Sequence, residues 1–429
     1  MLLVPMTILL IGVGIFLFPQ KESNIFYYQL VDVSEKKEAG QLLREDIKEE
    51  PESKEQEIFD QGQKEVSLGK EDISFVPFFR IKLQEPPEIV RAIYLTAWSA
   101  GSPRYFNYLI NLLEITEINA VVIDIKDYSG FVSYPADVEI VKKYGLTNNA
   151  IRDIDSLINF LHQKGIYVIG RITVFQDPAL ASKRPDLALY DVEETKRTGS
   201  LVLWQDRKNL FWLDPSSFEV WEYHLALARD AFLRGFDEVN FDYIRFPSDG
   251  NLKNIGYPFY DLQRPRRVII REFFQYLRQE LPNERISADL FGLTTVNRDD
   301  LGVGQVIEDA FEFFDFVCPM LYPSHYASGF RGFENPAEFP YEVVSYSLES
   351  ALARKKEFEK RMQEKIGEKI FFSKIRPWLQ DFDLGADYTD EMVRKEIQAV
   401  KDVLGAEFVG YILWNPSNLY SHGAIIKNR

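Results

Sequence analysis

The chain has little cysteine, little histidine and no excess of positive charge. Its single cysteine, Cys318, excludes an intramolecular disulfide and a cysteine cluster for zinc. Its four histidines are scattered, and only His325 falls beside a candidate active face, so a metal-dependent deacetylase or esterase lacks its His/Asp cluster. The net charge of −16 argues against nucleic acid, which demands a basic surface. We therefore expect no metal, no cofactor and no nucleic-acid partner.

The chain also lacks a glycine-rich phosphate turn. Residues 97–103, which follow the first predicted strand, read AWSAGSP and do not match the G-x-G-x-x-G turn of dinucleotide-binding sheets. An open, doubly wound sheet stays the structural alternative to a barrel. With 429 residues and a hydrophobic fraction of 46%, the chain could hold two ordinary domains or one large barrel.

The N-terminal residues differ in composition from the rest. Residues 2–18 are uncharged and almost wholly apolar, a length just sufficient for a transmembrane helix or a signal segment. Because no clear small-residue cleavage site follows, we expect residues 1–20 to be an uncleaved anchor that holds the protein at the cell membrane, with secretion as the alternative. Residues 21–72 are rich in Glu, Lys and Gln and predict a flexible linker. The barrel domain is then expected at 73–429, outside the cytoplasm.

Beyond residue 85, apolar β-branched runs alternate with segments of helical period. The predicted strands are Val90–Trp98, Ala120–Asp127, Tyr167–Phe175, Phe236–Phe246, Arg285–Gly292, Phe314–Tyr322, Lys374–Asp381 and Glu407–Asn415. The predicted helices are Pro103–Thr116, Ile151–Lys164, Ser216–Arg234, Pro265–Leu281, Tyr346–Ile366 and Asp390–Leu404. Eight strands that alternate with helical segments predict an α/β fold, a closed (β/α)₈ barrel of the TIM type.

Polar residues gather where the predicted strands end, which is where barrel enzymes carry their catalytic groups. Period-two alternation places Asp124 and Lys126 on the inward face of strand two, and Asn240 and Asp242 on one face of strand four. The other candidates at these ends are Arg171, Arg245, Asp289, Tyr322, His325, Trp378, Asp381 and Trp414. Acids, amides and aromatics without a Cys or His cluster are the side chains that glycoside cleavage uses.

Three carboxylates are the candidate catalytic residues. Asp242 is the candidate nucleophile or charge stabiliser, Asp289 the candidate general acid/base, and Asp381 a third acid, although it falls on the opposite face from Arg376 and Trp378. The remaining candidates are assigned to substrate binding.

Each assignment has a structural alternative. Asp242 could pair only with Arg245, Asp124 could form a buried ion pair with Lys126, and Arg171 could be a structural partner of the acids. The aromatic residues could simply fill the barrel, and His325 could be an ordinary loop residue.

Three segments carry a family resemblance: VNFDYIRFP at 239–247, VVIDIKD at 121–127 and CPMLYP at 318–323. Over residues 90–415 the chain resembles a bacterial family of glycoside hydrolase domains that is similar to α-amylase-like barrels. The resemblance implies a TIM-type fold, a carbohydrate substrate, a nucleophile at Asp242, an acid/base at Asp289 and a strand-seven aspartate at Asp381. Two positions depart from the amylase pattern, since Asn240 stands where those barrels have arginine and Asp289 where they have glutamate.

Two functions from different classes fit these observations. The first is a glycoside hydrolase that cleaves an envelope or extracellular polysaccharide by a two-carboxylate mechanism. The alternative is a catalytically inactive barrel that binds carbohydrate and serves the cell envelope, and it is motivated by the two departures.

Overall fold

The computed structural model describes residues 83–366 and 373–426. In this part of the chain eight parallel strands, the staves of a barrel, form one sheet. They are β1 (Val90–Leu95), β2 (Ala120–Lys126), β3 (Tyr167–Thr173), β4 (Glu238–Asp242), β5 (Ile286–Phe291), β6 (Phe316–Leu321), β7 (in two pieces, Lys374–Ile375 and Trp378–Gln380) and β8 (Gly410–Trp414). Because β8 pairs with both β7 and β1, the sheet closes on itself. The predicted (β/α)₈ barrel is confirmed.

Helices follow the staves in sequence and form an outer layer. They are α1 (Pro103–Ile115), α2 (Ile154–Gln163), α3 (Phe218–Arg234), α4 (Arg266–Glu280), α5 (Ile307–Phe313), α6 (Pro340–Ile366), α7 (Asp390–Leu404) and the one-turn α8 (His422–Ile425). Shorter helices lie in the connections at Ala97–Ala100, Glu139–Tyr144, Pro178–Lys183 and Val192–Thr198. Local signals set the ends: Ser102 and Thr389 cap the starts of α1 and α7, and Gly235 ends α3 at a φ of 105°.

The long connection between β3 and α3, together with residues 255–256 of the connection after β4, forms a small substructure. It lies on the barrel's upper face, where the carboxyl ends of the staves are. Tyr190–Asp191 pairs antiparallel with Ile255–Gly256, and single bridges join Gln205 to Phe211 and Gln176 to Trp212. The two tryptophans of this region, Trp204 and Trp212, are buried. The long connection therefore packs beside the ends of β3 and β4.

The alternation of each stave divides the core into two parts. Ile93 and Leu95 of β1 face the helices, whereas Ala92 and Tyr94 face the barrel interior together with Cys318. Closure at the β8–β1 seam depends on Gly410, whose φ is 115° and whose missing Cβ would collide with the backbone of Val90. The barrel interior is thus a closely packed column of side chains.

The predicted anchor at 1–20 and linker at 21–72 lie outside the described residues, as does the first part of the predicted domain at 73–82. No helix within 83–366 or 373–426 has the length and hydropathy needed to cross a membrane.

Candidate active site

A pocket opens at the carboxyl ends of the staves, inside the barrel mouth. Its lining residues are Tyr94, Arg171, Asp242, Tyr243, Arg245, Asp289, Phe291, Met320, Tyr322, His325, Trp378 and Trp414. Eight of the predicted site residues are in this set. Asn240 and Asp124 lie just beneath it and contact its walls, as described below.

Arg171 of β3 joins three of the acids. Its Nη1 lies 2.6 Å from Asp124 Oδ1, its Nη2 2.5 Å from Asp242 Oδ2, and its Nε 3.9 Å from Asp289 Oδ2. The barrel register explains this position, because Arg171 stands beside Asp124 on one neighbouring stave and beside Asn240 on the other. Arg171 therefore supplies, from β3, a positive charge next to the candidate nucleophile.

Asp242 ends β4 and is held by three donors. Arg171 Nε and Nη2 donate to its Oδ2 over 3.2 and 2.5 Å, and the backbone N–H of Tyr243 donates to its Oδ1 over 2.5 Å. Tyr243 takes a φ of 53°, a left-handed conformation that is uncommon for a residue with a side chain. Such backbone strain is concentrated at functional sites, and here it occurs at the residue directly after the carboxylate.

Asp289 of β5 has a different environment. Its Oδ1 accepts hydrogen bonds from Asn240 Nδ2 (2.8 Å) and Trp378 Nε1 (2.7 Å), while its Oδ2 has no hydrogen-bond partner among the described residues. Asp289 is only 1% exposed. This burial is the main cause that raises the pKa of Asp289 well above its usual value, and the nearby charge of Asp242 is the second. The protonated form of the Asp289 carboxyl is thus favoured, with Oδ2 as the oxygen that can carry the proton.

The two carboxyl groups are close together. Arg171 Nε lies 3.2 Å from Asp242 Oδ2 and 3.9 Å from Asp289 Oδ2, so these oxygens cannot be farther apart than the two distances combined. That limit includes the spacing of about 5–5.5 Å found in retaining glycosidases and only the lower end of the inverting range.

Aromatic rings form one wall of the pocket. Tyr322 lies against Trp414, with ring centroids 5.1 Å apart, and His325 contacts Tyr322 edge-on. Burial, followed by the charge of Lys208, lowers the pKa of His325 to about 4. His325 is therefore a neutral wall residue at pH 7, and the apolar ring faces suit the face of a sugar.

Asp124 is linked to the pocket through two residues. It accepts hydrogen bonds from Tyr94 Oη (2.5 Å) and Arg171 Nη1 (2.6 Å). Burial raises the pKa of Asp124 to about 6 despite the opposing charge of Arg171. The predicted alternative for Asp124, an ion pair with Lys126, is wrong, because its partner is Arg171.

Lys126 does not face the barrel interior, so its predicted inward position is wrong. The β2–β3 register shifts between Asp124 and Lys126, and this irregularity turns Lys126 toward the helices. Its Nζ lies 2.5 Å from Asp177 Oδ2 and 2.9 Å from His224 Nε2 on α3. Lys126 is thus a buried partner that fixes the start of the β3–α3 connection.

Asp381 and Arg245 also have positions that the sequence did not specify. Asp381 lies outside the pocket, where Ser421 donates to it from both its backbone N–H (2.9 Å) and its Oγ (2.7 Å). Burial raises the pKa of Asp381 to about 6. Arg245 lines the pocket but forms no ion pair with Asp242, which pairs with Arg171 instead.

Four lining residues were absent from the sequence-based candidates: Tyr94, Tyr243, Phe291 and Met320. Tyr94 and Phe291 come from apolar strand positions, which look like ordinary core residues until the neighbouring staves are known. Within the described ranges, no group of three or more His, Cys, Asp or Glu side chains is arranged to hold a metal ion.

Many solved structures are similar to this chain, and three of them illustrate the range. A hypothetical protein from Ruminiclostridium thermocellum is 36% identical over 49% of this chain and 98% of its own, with a TM-score of 0.42. The glycoside hydrolase domain of PgaB (BpsB) from Bordetella bronchiseptica is 14% identical, with coverages of 77% and 95% and a TM-score of 0.51, which shows a shared fold. An α-galactosidase from Thermus thermophilus is 16% identical, with coverages of 80% and 61% and a TM-score of 0.45.

Comparison with curated proteins gives no match. A family model described as "Putative glycosyl hydrolase domain" matches residues 92–420, which is well over half of the chain and includes every stave from β2 to β8. This chain therefore belongs to that family of glycosyl hydrolase domains.

Proposed function

We propose that the chain is an O-glycosidase that cleaves an envelope or extracellular polysaccharide with Asp242 as nucleophile and Asp289 as general acid/base. The observation that carries the proposal is the contrast between the two neighbouring acids. Three N–H donors surround the carboxylate of Asp242, whereas burial, and then the charge of Asp242, raise the pKa of Asp289 and favour its protonated form. Two carboxyl groups with opposed protonation are what glycoside cleavage requires.

In the first step, the bond between the anomeric carbon and the glycosidic oxygen breaks. Asp289 gives its proton to the departing oxygen, and an oxygen of Asp242 bonds to the anomeric carbon. Asn240 and Trp378 hold Oδ1 of Asp289, so that Oδ2 is the atom that carries the proton. In the second step, water loses a proton to Asp289 and attacks the anomeric carbon, and Asp242 leaves.

Arg171 has a positioning role in this mechanism. It fixes Asp242 through two N–H groups and ties it to Asp124, which Tyr94 also holds. In the amylase pattern the corresponding arginine precedes the nucleophile on its own strand, where this chain has Asn240. A cation from the neighbouring stave supports the same carboxylate, so the departure at Asn240 does not remove the charge that the mechanism needs.

The experiment that tests the proposal follows product formation and its stereochemistry. The purified full chain is incubated with cell-wall and exopolysaccharide preparations, and the first-formed anomer is read by proton NMR. We expect new reducing ends whose anomeric configuration matches the substrate, since the carboxyl spacing favours retention. Intact cells should also cleave added polymer if residues 2–18 anchor the barrel outside. Glycan binding without any reducing ends would instead favour the inactive, carbohydrate-binding barrel.

The raised pKa of Asp289 predicts the pH dependence. The protonated form is the active acid, so kcat/KM should be maintained well above pH 4, where an ordinary aspartate ionises, and should fall only as the pH rises through the raised pKa of Asp289. The measurement is a pH profile of kcat/KM for the parent and for Asp289→Asn. We expect the variant to lose the basic limb, and a parent profile that already falls near pH 4 would contradict the assignment.

A further inference from the structure

Arg245 is exceptional among the buried arginines of the described chain. It is 4% exposed, like Arg354 and Arg376, which are 4% and 0% exposed. Arg354 pairs with Glu308 and Arg376 with Glu238, but within residues 83–366 and 373–426 no carboxylate lies within ion-pair distance of Arg245. A buried charge without a counter-ion is costly, so its retention at a pocket wall needs a reason.

The surroundings of Arg245 leave one edge of its guanidinium available. Only Nη1 donates within the described chain, to the carbonyl of Phe246 (3.2 Å) and to Ser248 Oγ (3.1 Å). The rings of Phe291, Trp212 and Tyr243 lie 4.6–5.2 Å from the guanidinium carbon and hold the group in place. The Nε and Nη2 atoms form the edge of the fork that matches the two oxygens of a carboxylate.

We propose that Arg245 binds a carboxylate carried by a sugar residue, so that the substrate class is an acidic, uronic-acid-containing glycan. The inference rests on the proposed glycosidase function and specifies its substrate. Arg245 and the acid pair line the same pocket, so the carboxylate-bearing residue is the one at or next to the cleaved bond. The chain has a net charge of −16, so an anionic ligand gains nothing from the overall field and depends on this local cation.

Monosaccharides test the proposal without any turnover. Binding of glucuronate, galacturonate, glucose, galactose and glucose 6-sulfate to the full chain is measured by calorimetry or saturation-transfer NMR. We expect the uronates to bind about tenfold or more tightly than their neutral counterparts, the gain typical of a charge-assisted hydrogen bond. Equal binding of acidic and neutral sugars would overturn the proposal, as would a preference for glucose 6-sulfate over glucuronate.

Three variants assign the effect to the residue. Arg245→Gln should abolish the preference for uronates, and Arg245→Lys, which keeps the charge but not the fork, should keep part of it. Arg207→Gln removes an exposed arginine outside the pocket lining and should leave the preference unchanged. Thermal unfolding shows whether each variant is folded. If Arg245→Gln is not folded, Arg245→Lys is the test, and a uronate preference equal to that of the parent contradicts the proposal. A preference that survives in the folded variant lacking the fork and the charge contradicts the proposal.

Because these sugars have no glycosidic bond to cleave, the outcome is independent of the hydrolase test. A chain that binds uronates but releases no reducing ends supports this inference and refutes the proposed function. A chain that cleaves neutral glycans but does not bind uronates supports the proposed function and refutes this inference.

Discussion

Asp242→Asn should lower kcat/KM by at least about 10³-fold while the protein stays folded. The amide cannot attack the anomeric carbon, and it also loses the negative charge that Arg171 faces. The measurement is release of reducing ends by the variant and the parent, with thermal unfolding to show that the fold persists. Activity within about tenfold of the parent would exclude Asp242 as the nucleophile.

A smaller variant makes the role of Asp242 more specific. Asp242→Ala leaves room for a small external anion beside the anomeric carbon. With azide and a substrate that has a good leaving group, we expect a glycosyl azide whose anomeric configuration is opposite to that of the substrate. The same product from Asp289→Ala, or none from Asp242→Ala, would indicate that the two roles are assigned incorrectly.

Asp381→Asn is the matched control, since the sequence placed Asp381 in the same catalytic set. In the structure it lies outside the pocket and bonds to Ser421, and an amide can keep both contacts by accepting from the N–H and donating to Oγ. The raised pKa of about 6 means that Asp381 is already partly neutral near that pH. We therefore expect most of the activity to remain, and a loss as large as that of Asp242→Asn would restore Asp381 to the catalytic set.

The sequence predicted the barrel well because strand alternation is a local property. Each predicted stave contains the observed one, and α7 matches its predicted bounds, Asp390–Leu404, since Thr389 caps it. The main deviation is β7, where Arg376 and Pro377 separate two short pieces. Arg376 bends inward to reach Glu238 across the barrel, a long-range contact that no local pattern contains.

The candidate site was less predictable because its geometry depends on contacts between staves. Alternation placed Asn240, Asp242 and Asp289 correctly on inward faces, and they contact Arg171 or one another. Alternation predicted the wrong face for Lys126, because an irregularity in β2 interrupts the two-residue period. No feature of the sequence at 121–127 indicates this irregularity. The pairing of Asp242 with Arg171 instead of Arg245 depends on the register between β3 and β4, which the sequence alone does not fix.

A chain of polar contacts runs below the pocket and links it to the barrel core. Asn240 Nδ2 donates both to Asp289 Oδ1 and to Ser287 Oγ, and Ser287 Oγ donates to Glu238 Oε1. Glu238 is also bonded to Tyr167 and to Arg376. The position of Asp289, the acid/base, therefore depends on the ion pair between Glu238 and Arg376 at the other end of this series of contacts.

Arg376→Met should destabilise the protein by about 3–5 kcal/mol, the usual effect of removing one partner of a fully buried ion pair. Arg376 and Glu238 are both 0% exposed, so the variant leaves the charge of Glu238 without a counter-ion in the barrel interior. The free energy of unfolding is measured by urea denaturation. The double variant Arg376→Met/Glu238→Gln removes both charges and should regain most of the loss, because the remaining amide can still accept from Ser287. If the double variant is as unstable as the single one, the loss comes from packing against Phe316, which lies 4.2 Å from the guanidinium carbon, and not from the unpaired charge.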